Sequence, residues 1–429
     1  MTPIEKRALS YATTINGLFD DIITSKKNAD RVIAEYFRAT KKHGAKDRRI
    51  IRETLFGLFR WWGWLQQLQP EQSAGSARTL LLYLTSQIEQ HAWQDIAEAW
   101  ATLADTQYYV ADEIYSPQAA CRWLNNSFAP KLFTLEQLVP DWLWQYLPAD
   151  FTAKEALIES LCQRPPIWGR VQRMSRADAL AQLQAIEIAA TAGHFSDTVN
   201  LGQKSINLQQ VPLYRDGHLE VQDLASQVIG QICAPHAGEH WWDACCGAGG
   251  KTLQLASLME QAGNTVADIV VSDVRPAAMN ELQKRAQRAG FSNISTAPWQ
   301  DDTLPVASAS FDGVLVDAPC SCIGTWRRNP DQRWLDDESV VNNSAELQQK
   351  ILQRAAAAVK PAGVLVYATC SITATENQLL VEKFLQQHPE FTLETVTHPF
   401  TGSVTQYLTI WPFEADSDGM FVARLRRAS

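Results

Sequence analysis

With 429 residues, 46% of them hydrophobic and 20% charged, the chain has material for two or three cores, and no apolar run approaches the roughly 20 residues of a bilayer crossing, which excludes a membrane role. The formal net charge of −9 argues against a uniformly phosphate-binding surface, but residues 1–60 carry 13 Lys and Arg against 7 Asp and Glu, so a basic end sits on an acidic body. The N-terminus lacks the basic-then-apolar layout of a secretory signal, so the eight cysteines are expected as reduced thiols in a cytoplasm, without disulfides.

From 1 to 145 the text is helical in period: "NADRVIAEYFRATKKHG", "DRRIIRETLFGLFRWWGWLQQL" and "ARTLLLYLTSQIEQHAWQDIAEAWATLA" repeat apolar residues at three and four, with Gly or Pro at the breaks. An all-helical domain is expected there, its basic side chains forming either a phosphate-binding face or a solvated one. Residues 146–225 mix one helix, "AKEALIESLCQ", with β-like pieces "IWGRVQRM", "INLQQVPLY" and "HLEVQDL", and read as a small α+β connector. From 226 to 429 strands alternate with helices: "HWWDACC", "KTLQLASLMEQAG", "DIVVSDV", "PAAMNELQKRAQRAG", "FDGVLVDAP", "SAELQQKILQRAAAAVKPAG" and "VLVYATC". That alternation predicts a parallel sheet covered by helices on both faces, and "GMFVARLRR" suits a final antiparallel strand.

"DACCGAGGKT", residues 243–252, follows the first of these strands and opens its helix. Gly247, Gly249 and Gly250 permit a sharp turn and close approach of a ligand, and the helix start favours an anionic group such as a carboxylate. Asp273, at the end of "DIVVSD", stands where an acid receives ribose hydroxyls in nucleotide-type folds. The two together point to an adenosine-bearing cofactor, although a glycine turn with no ligand is the plain alternative. No glycine at 245 begins a P-loop, which disfavours ATP hydrolysis. Asp301 or Asp302, after a third strand, is a candidate for the adenine amine or a solvated loop acid.

"DAPCSC" and "YATCS" close two further strands. In an open parallel sheet the carboxyl ends of strands line the ligand crevice, so Asp317, Cys320 and Cys370 should converge beside the glycine loop. A metal is not expected, because Cys320 and Cys322 form C-x-C and no histidine lies near either segment. Cys121, Cys162, Cys233, Cys245 and Cys246 sit among apolar residues and read as small core side chains.

"DACCGAGGKT", "DAPCSCIGTWRRNPD" and "YATCSITATEN" resemble the cofactor loop, the Pro-Cys motif and the Thr-Cys motif of the RNA 5-methylcytosine methyltransferases. "CQRPPIWGRVQR", "HLEVQDLASQVIGQICAP" and "DSDGMFVARLRR" are similar to flanking segments in the ribosomal-RNA branch, the RsmB (Sun/Fmu) group, and "KDRRIIRETLFGLFR" resembles a helix of its N-terminal domain. The resemblance implies a class I, Rossmann-like methyltransferase sheet over 226–429, a NusB-like RNA-binding bundle over 1–145, and the connector over 146–225. It implies S-adenosylmethionine as cofactor, held by the loop of Cys245, Cys246, Gly247, Ala248, Gly249, Gly250 and Lys251 together with Asp273, Asp301 and Asp317. Small-subunit ribosomal RNA is the implied partner, acted on by a monomer; a tRNA substrate, or a degenerate RNA-binding factor without catalysis, are the alternatives.

The same resemblance gives each site residue a role. Cys370 attacks cytosine C6, Cys320 helps remove the C5 proton and release the enzyme, and Asp317 holds the N3/N4 edge of the base. Lys251 either tunes Cys370 or orients the base, unless it faces solvent. Ser321 after Cys320, where the DNA enzymes usually carry Gln, favours RNA. Gly247 and Ala248 replace the family's usual Ala-Pro, removing the stiffness of proline, and Cys322 stands where glycine is usual. "WRRNPDQRW" is expected to form a phosphate-and-stacking lip from Arg327, Arg328 and Arg333 with Trp326 and Trp334.

Overall fold

The structure is a computed structural model that describes residues 1–68, 75–106, 114–263, 268–301 and 303–429. The chain divides into two compact units: Met1–Gln145, Asp150–Gln163 and Trp326–Glu338 form one, and Tyr146–Ala149, Arg164–Thr325 and Ser339–Ser429 the other. Among the described residues no helix is long and apolar enough to cross a membrane.

The first unit is helical because its segments carry strong start signals. Thr2 Oγ1 accepts from the Glu5 amide at 3.2 Å while the Glu5 carboxylate accepts from the Thr2 amide at 2.9 Å, and Pro3 takes the first turn of the helix Pro3–Ser25. Asn28 accepts from the Asp30 amide to start Ala29–Ala39. The helix Ala45–Arg60 buries Ile50, Ile51, Leu55, Leu58 and Phe59 and leaves Lys46, Arg48, Arg49 and Arg52 exposed. Where it ends, the buried Arg60 pairs with Glu89 at 2.6 Å, and Trp61 Nε1 donates to the same carboxylate at 2.7 Å.

Most of the segment expected to form an RNA lip is instead built into this unit's interior: Trp326, Arg327 and Arg333 are buried, while Arg328 and Trp334 are half-buried. Arg333, only 1% exposed, donates to the main-chain oxygens of Leu138 at 3.3 Å and Arg60 at 3.4 Å, and also to those of Leu161 and Trp326. Trp334 Nε1 donates to the Phe59 oxygen at 2.7 Å, Trp326 packs edge-on against Trp142 at 5.8 Å, and Asp331 accepts from the Ala29 amide at 2.8 Å. Both Nη groups of one guanidinium are spent on carbonyls left over at helix ends. Arginine and tryptophan suit a nucleic-acid lip and such a plug equally well in composition; packing alone separates the two.

The second unit begins with a small antiparallel sheet. Strands β1 (Trp168–Val171), β2 (Thr191–Ala192), β3 (Thr198–Asn200) and β4 (Leu219–Val221) lie in the order β2-β3-β1-β4. "INLQQVPLY", expected to be β-like, forms a 3-10 turn at Leu208–Gln210 and a short helix Pro212–Arg215. The reason is Pro212, which fixes a helical φ at the first helical position and removes a ladder donor.

The main sheet follows: β5 (His240–Asp243), β6 (Asp268–Val271), β7 (Ile294–Thr296), β8 (Phe311–Asp317), β9 (Val359–Thr369) and β10 (Phe391–Leu393), then a short β11–β12 ladder (Val396–Thr397 with Val404–Thr405), β13 (Leu408–Ile410) and β14 (Met420–Arg427). Its order is β10-β14-β9-β8-β5-β6-β7, with β13 also on β14. The run β7-β6-β5-β8-β9 is parallel and β14 is antiparallel to β9. The strands are apolar throughout because both faces are covered: Trp241, Ile269, Leu315 and Val366 enter one core, and Trp242, Val314, Leu365 and Tyr367 the other. Strand order reverses between β5 and β8, which opens a crevice at the carboxyl ends of β5, β8 and β9.

Candidate active site

The cofactor loop leaves β5 at Asp243, which is 1% exposed and accepts from Thr252 Oγ1 at 2.6 Å. Gly247 and Gly249 take φ of 51° and 91°, and a Cβ at 249 would lie 2.6 Å from Leu282 Cγ, so this turn requires glycine twice. Gly250 opens the helix Gly250–Gly263 onto free space, since a Cβ there would meet nothing within 4 Å. The Gly247 amide donates to Asp273 Oδ2 at 2.9 Å, and Arg275 grips both Asp273 oxygens at 2.9 Å. Burial works against charge on Asp273, yet Arg275 and the Gly247 amide outweigh it and hold the carboxyl below its ordinary range.

An anionic acceptor therefore stands beside a glycine turn and an open helix start, a donor and acceptor set that fits an amino-acid carboxylate and a ribose diol. Arg275 is 68% exposed, so its pairing with Asp273 lies at the protein surface. Two supports were not foreseen from sequence: Arg285 Nη1 donates to the Ala248 oxygen at 2.7 Å while its other nitrogens bond the buried Glu220. Trp299 Nε1 donates to the Ala244 oxygen at 2.7 Å, drawing the chain after β7 toward the end of β5. Asp301 lies exposed just beyond, at φ 52°, and Asp302 is outside the described residues. Burial pushes the Cys245 and Cys246 thiols up, as suits side chains that pack and do not react.

At the ends of β8 and β9 the two expected cysteines meet. Cys320 Sγ lies 3.1 Å from Cys370 Sγ, the Cys322 sulfur joins them with all three within 4.8 Å of one another, and all eight cysteines are free thiols. Lys251 Nζ donates to Asp317 Oδ2 at 2.8 Å and is 11% exposed, so it faces the crevice and not solvent. Burial disfavours its charge, but Asp317 and Cys370 more than compensate, so the ammonium is kept protonated.

A buried acid that sequence reading passed over holds the two motifs together. Glu376, in "ITATEN", accepts from the Ser321 amide at 2.9 Å, Ser321 Oγ at 2.5 Å, Ser371 Oγ at 2.5 Å, Thr373 Oγ1 at 3.0 Å and Gln348 Nε2 at 2.9 Å. Ser321 and Ser371 each adjoin one of the two facing thiols, so one carboxylate indexes both. Asn377 adds a bond to the Ser371 oxygen at 3.0 Å. On the other side, the Gly324 amide donates to the Cys370 oxygen at 2.9 Å and the Gly419 amide donates to the Gly324 oxygen at 2.7 Å; a Cβ on Gly324 would lie 2.1 Å from the Gly419 carbonyl oxygen. The signal available in sequence was one acid among neutral hydroxyl residues just after the Thr-Cys motif.

Asp243 gives a pH test of this site. Burial raises its carboxyl from 3.8 to about 7, only partly offset by the Thr252 bond. The folded state then holds a proton that the unfolded chain has lost between about pH 4 and pH 7, so this group's contribution to stability falls as pH rises through that window and levels off above it. Asp243→Asn, uncharged throughout, should gain on the native protein across the same window, as read by denaturant midpoints at pH 5, 6, 7 and 8; a difference that stays flat would refute the buried-acid reading.

Comparison with known proteins adds family evidence. The sequence profile of 16S rRNA methyltransferase RsmB/F matches residues 230–426. The ribosomal RNA small subunit methyltransferase B of Serratia proteamaculans is 30% identical over 405 residues, 89% of this chain and 90% of that protein. The probable ribosomal RNA small subunit methyltransferase B of Synechocystis is 34% identical over 305 residues, 67% of each chain. The crystal structure of PH0851 shares the fold, with a TM-score of 0.74 at 24% identity over 100% of this chain and 99% of that one.

Proposed function

Because the chain belongs to the RsmB/F family of ribosomal RNA small subunit methyltransferases, we propose that it methylates C5 of a cytosine in small-subunit ribosomal RNA, with S-adenosylmethionine as the cofactor and Cys370 as the nucleophile. The observation that carries this reading is the pair of thiols 3.1 Å apart at neighbouring strand ends, beside an ammonium and carboxylate paired at 2.8 Å. A metal-free acid or base pair alone would serve many reactions; two thiols at this place serve addition to a pyrimidine.

Cytosine C5 is weakly nucleophilic until C6 carries an electron-releasing substituent, which a thiolate supplies. The Cys370 thiol gives up its proton to water and its sulfur bonds to C6, while the C5=C6 π pair moves onto C5 and is shared with the N3 side of the ring. Asp317 holds the N3/N4 edge, and the Lys251 ammonium behind it offsets the charge that builds there. When bound, S-adenosylmethionine would supply an electrophilic methyl group to C5, the electron pair of the broken sulfur–methyl bond staying on the cofactor's sulfur. Cys320, once it has lost its own proton to water, accepts the C5 proton, the C–H pair restores the C5=C6 bond, and the sulfur–C6 bond breaks with its electrons returning to Cys370. Asp273 and the turn Cys245–Gly250 would hold the cofactor, with Asp301 near its adenine.

The target base must leave its stack to reach part-buried sulfurs, at a cost of a few kcal/mol, which favours unpaired segments. The division into a NusB-like RNA-binding domain over 1–145, a connector over 146–225 and a catalytic domain over 226–429, acting as a monomer in the cytoplasm, belongs to the same proposal. Small-subunit RNA incubated with the protein and methyl-labelled cofactor should gain label at one cytosine that resists bisulfite conversion. Label confined to tRNA, or attached at a position other than C5, would overturn the substrate or the chemistry respectively.

A further inference from the structure

Cys322 has no part in that mechanism, and its position is costly. It holds φ at 58°, in the left-handed region, where a residue with a Cβ carries about 1 kcal/mol of strain and glycine carries none. Glycine is also the residue usual in the family at this point. The backbone thus bears a penalty whose visible return is a third sulfur within 4.8 Å of the other two. The C-x-C spacing argued against a metal only because the third ligand, Cys370, comes from another strand 50 residues further along the chain.

We propose that Cys320, Cys322 and Cys370 form a three-thiolate site for a thiophilic d10 cation of the zinc class, and that its occupancy switches methylation off. Three sulfurs bound at about 2.3 Å around a tetrahedral zinc ion stand about 3.8 Å apart, so the present cluster needs sulfur shifts of under an ångström. Thiolate donors select zinc, cadmium or copper(I) over magnesium and calcium. The three sulfurs are gathered before any metal arrives, all within 4.8 Å of one another. Binding displaces the protons of the three thiols, and the Lys251 ammonium offsets the net charge left on the complex. Three protein ligands leave a fourth position for water. With both reactive sulfurs committed to the ion, neither is available to a pyrimidine, and the block lifts when the ion is removed.

Cadmium titration of the full-length protein, without RNA or cofactor, tests the site apart from any methyltransferase activity. The native protein should take up one cadmium with the ultraviolet sulfur-to-cadmium charge-transfer band of three thiolates. Cys322→Gly, which relieves the positive φ and should fold at least as well, should weaken binding by at least tenfold and lose about a third of the band. Zinc should inhibit native methylation reversibly by chelator, while Cys322→Gly keeps working at the same zinc concentration. Equal cadmium affinity in the two proteins, or no thiolate band in the native one, would show that no such site exists, whatever the fate of the methylation reading.

Discussion

Replacing Cys370 with alanine is expected to abolish methyl transfer, by roughly four orders of magnitude or more, as happens when one member of a nucleophilic unit is removed. Cys320→Ala should fail differently. With Cys370 intact, addition to C6 still proceeds, but nothing takes the C5 proton, so a covalent RNA–protein adduct should accumulate after a single turnover. Gel-resolved single-turnover reactions with labelled cofactor separate the two: adduct with Cys320→Ala, none with Cys370→Ala. The reverse pattern would exchange the two roles, which the 3.1 Å separation of the sulfurs allows geometrically. Retention of full activity by Cys370→Ala would end the covalent proposal.

The second large effect should come from a residue that touches no substrate. Glu376→Ala strips the acceptor from five donors at once, those of the Ser321 amide and hydroxyl, Ser371, Thr373 and Gln348. Some of the hydroxyls can pair among themselves, as Ser321 and Ser371 already do at 3.1 Å, so the loss is smaller than five separate penalties. About 3–5 kcal/mol of stability is expected to go, the range for breaking a buried charged network. Because Glu376 sets the spacing of the two thiols, kcat should fall about a hundredfold, with KM for RNA nearly unchanged. Glu376→Gln, which keeps one acceptor oxygen, should recover part of both. Thermal unfolding and a kcat against KM comparison check the claim; an alanine variant that melts with the native protein would show that the clamp is not structural.

The glycine turn, the strand-end cysteines and the strand-helix alternation were legible because each depends on local chemistry. A turn with φ of 51° and 91° writes itself as glycine, and strands buried on both faces write themselves as unbroken apolar runs. Arg285 was not legible and Glu376 only faintly so, since an acid or an arginine has nearly the same local signature whether it is solvated or buried against a distant loop. The tryptophan and arginine segment after the Pro-Cys motif was misread for the same reason.

By itself, then, the order of residues determined which groups are present: two thiols at strand ends, a glycine turn that opens a helix, and a helical half before them. Which groups face one another was decided only by tertiary structure. Cys322 becomes a neighbour of Cys370, Lys251 becomes a buried ammonium on Asp317, and Arg333 disappears into the helical unit. The physical reason is that a motif reports the backbone's local needs, whereas pairing across 50 or more residues depends on strand order and on which buried donors still lack an acceptor.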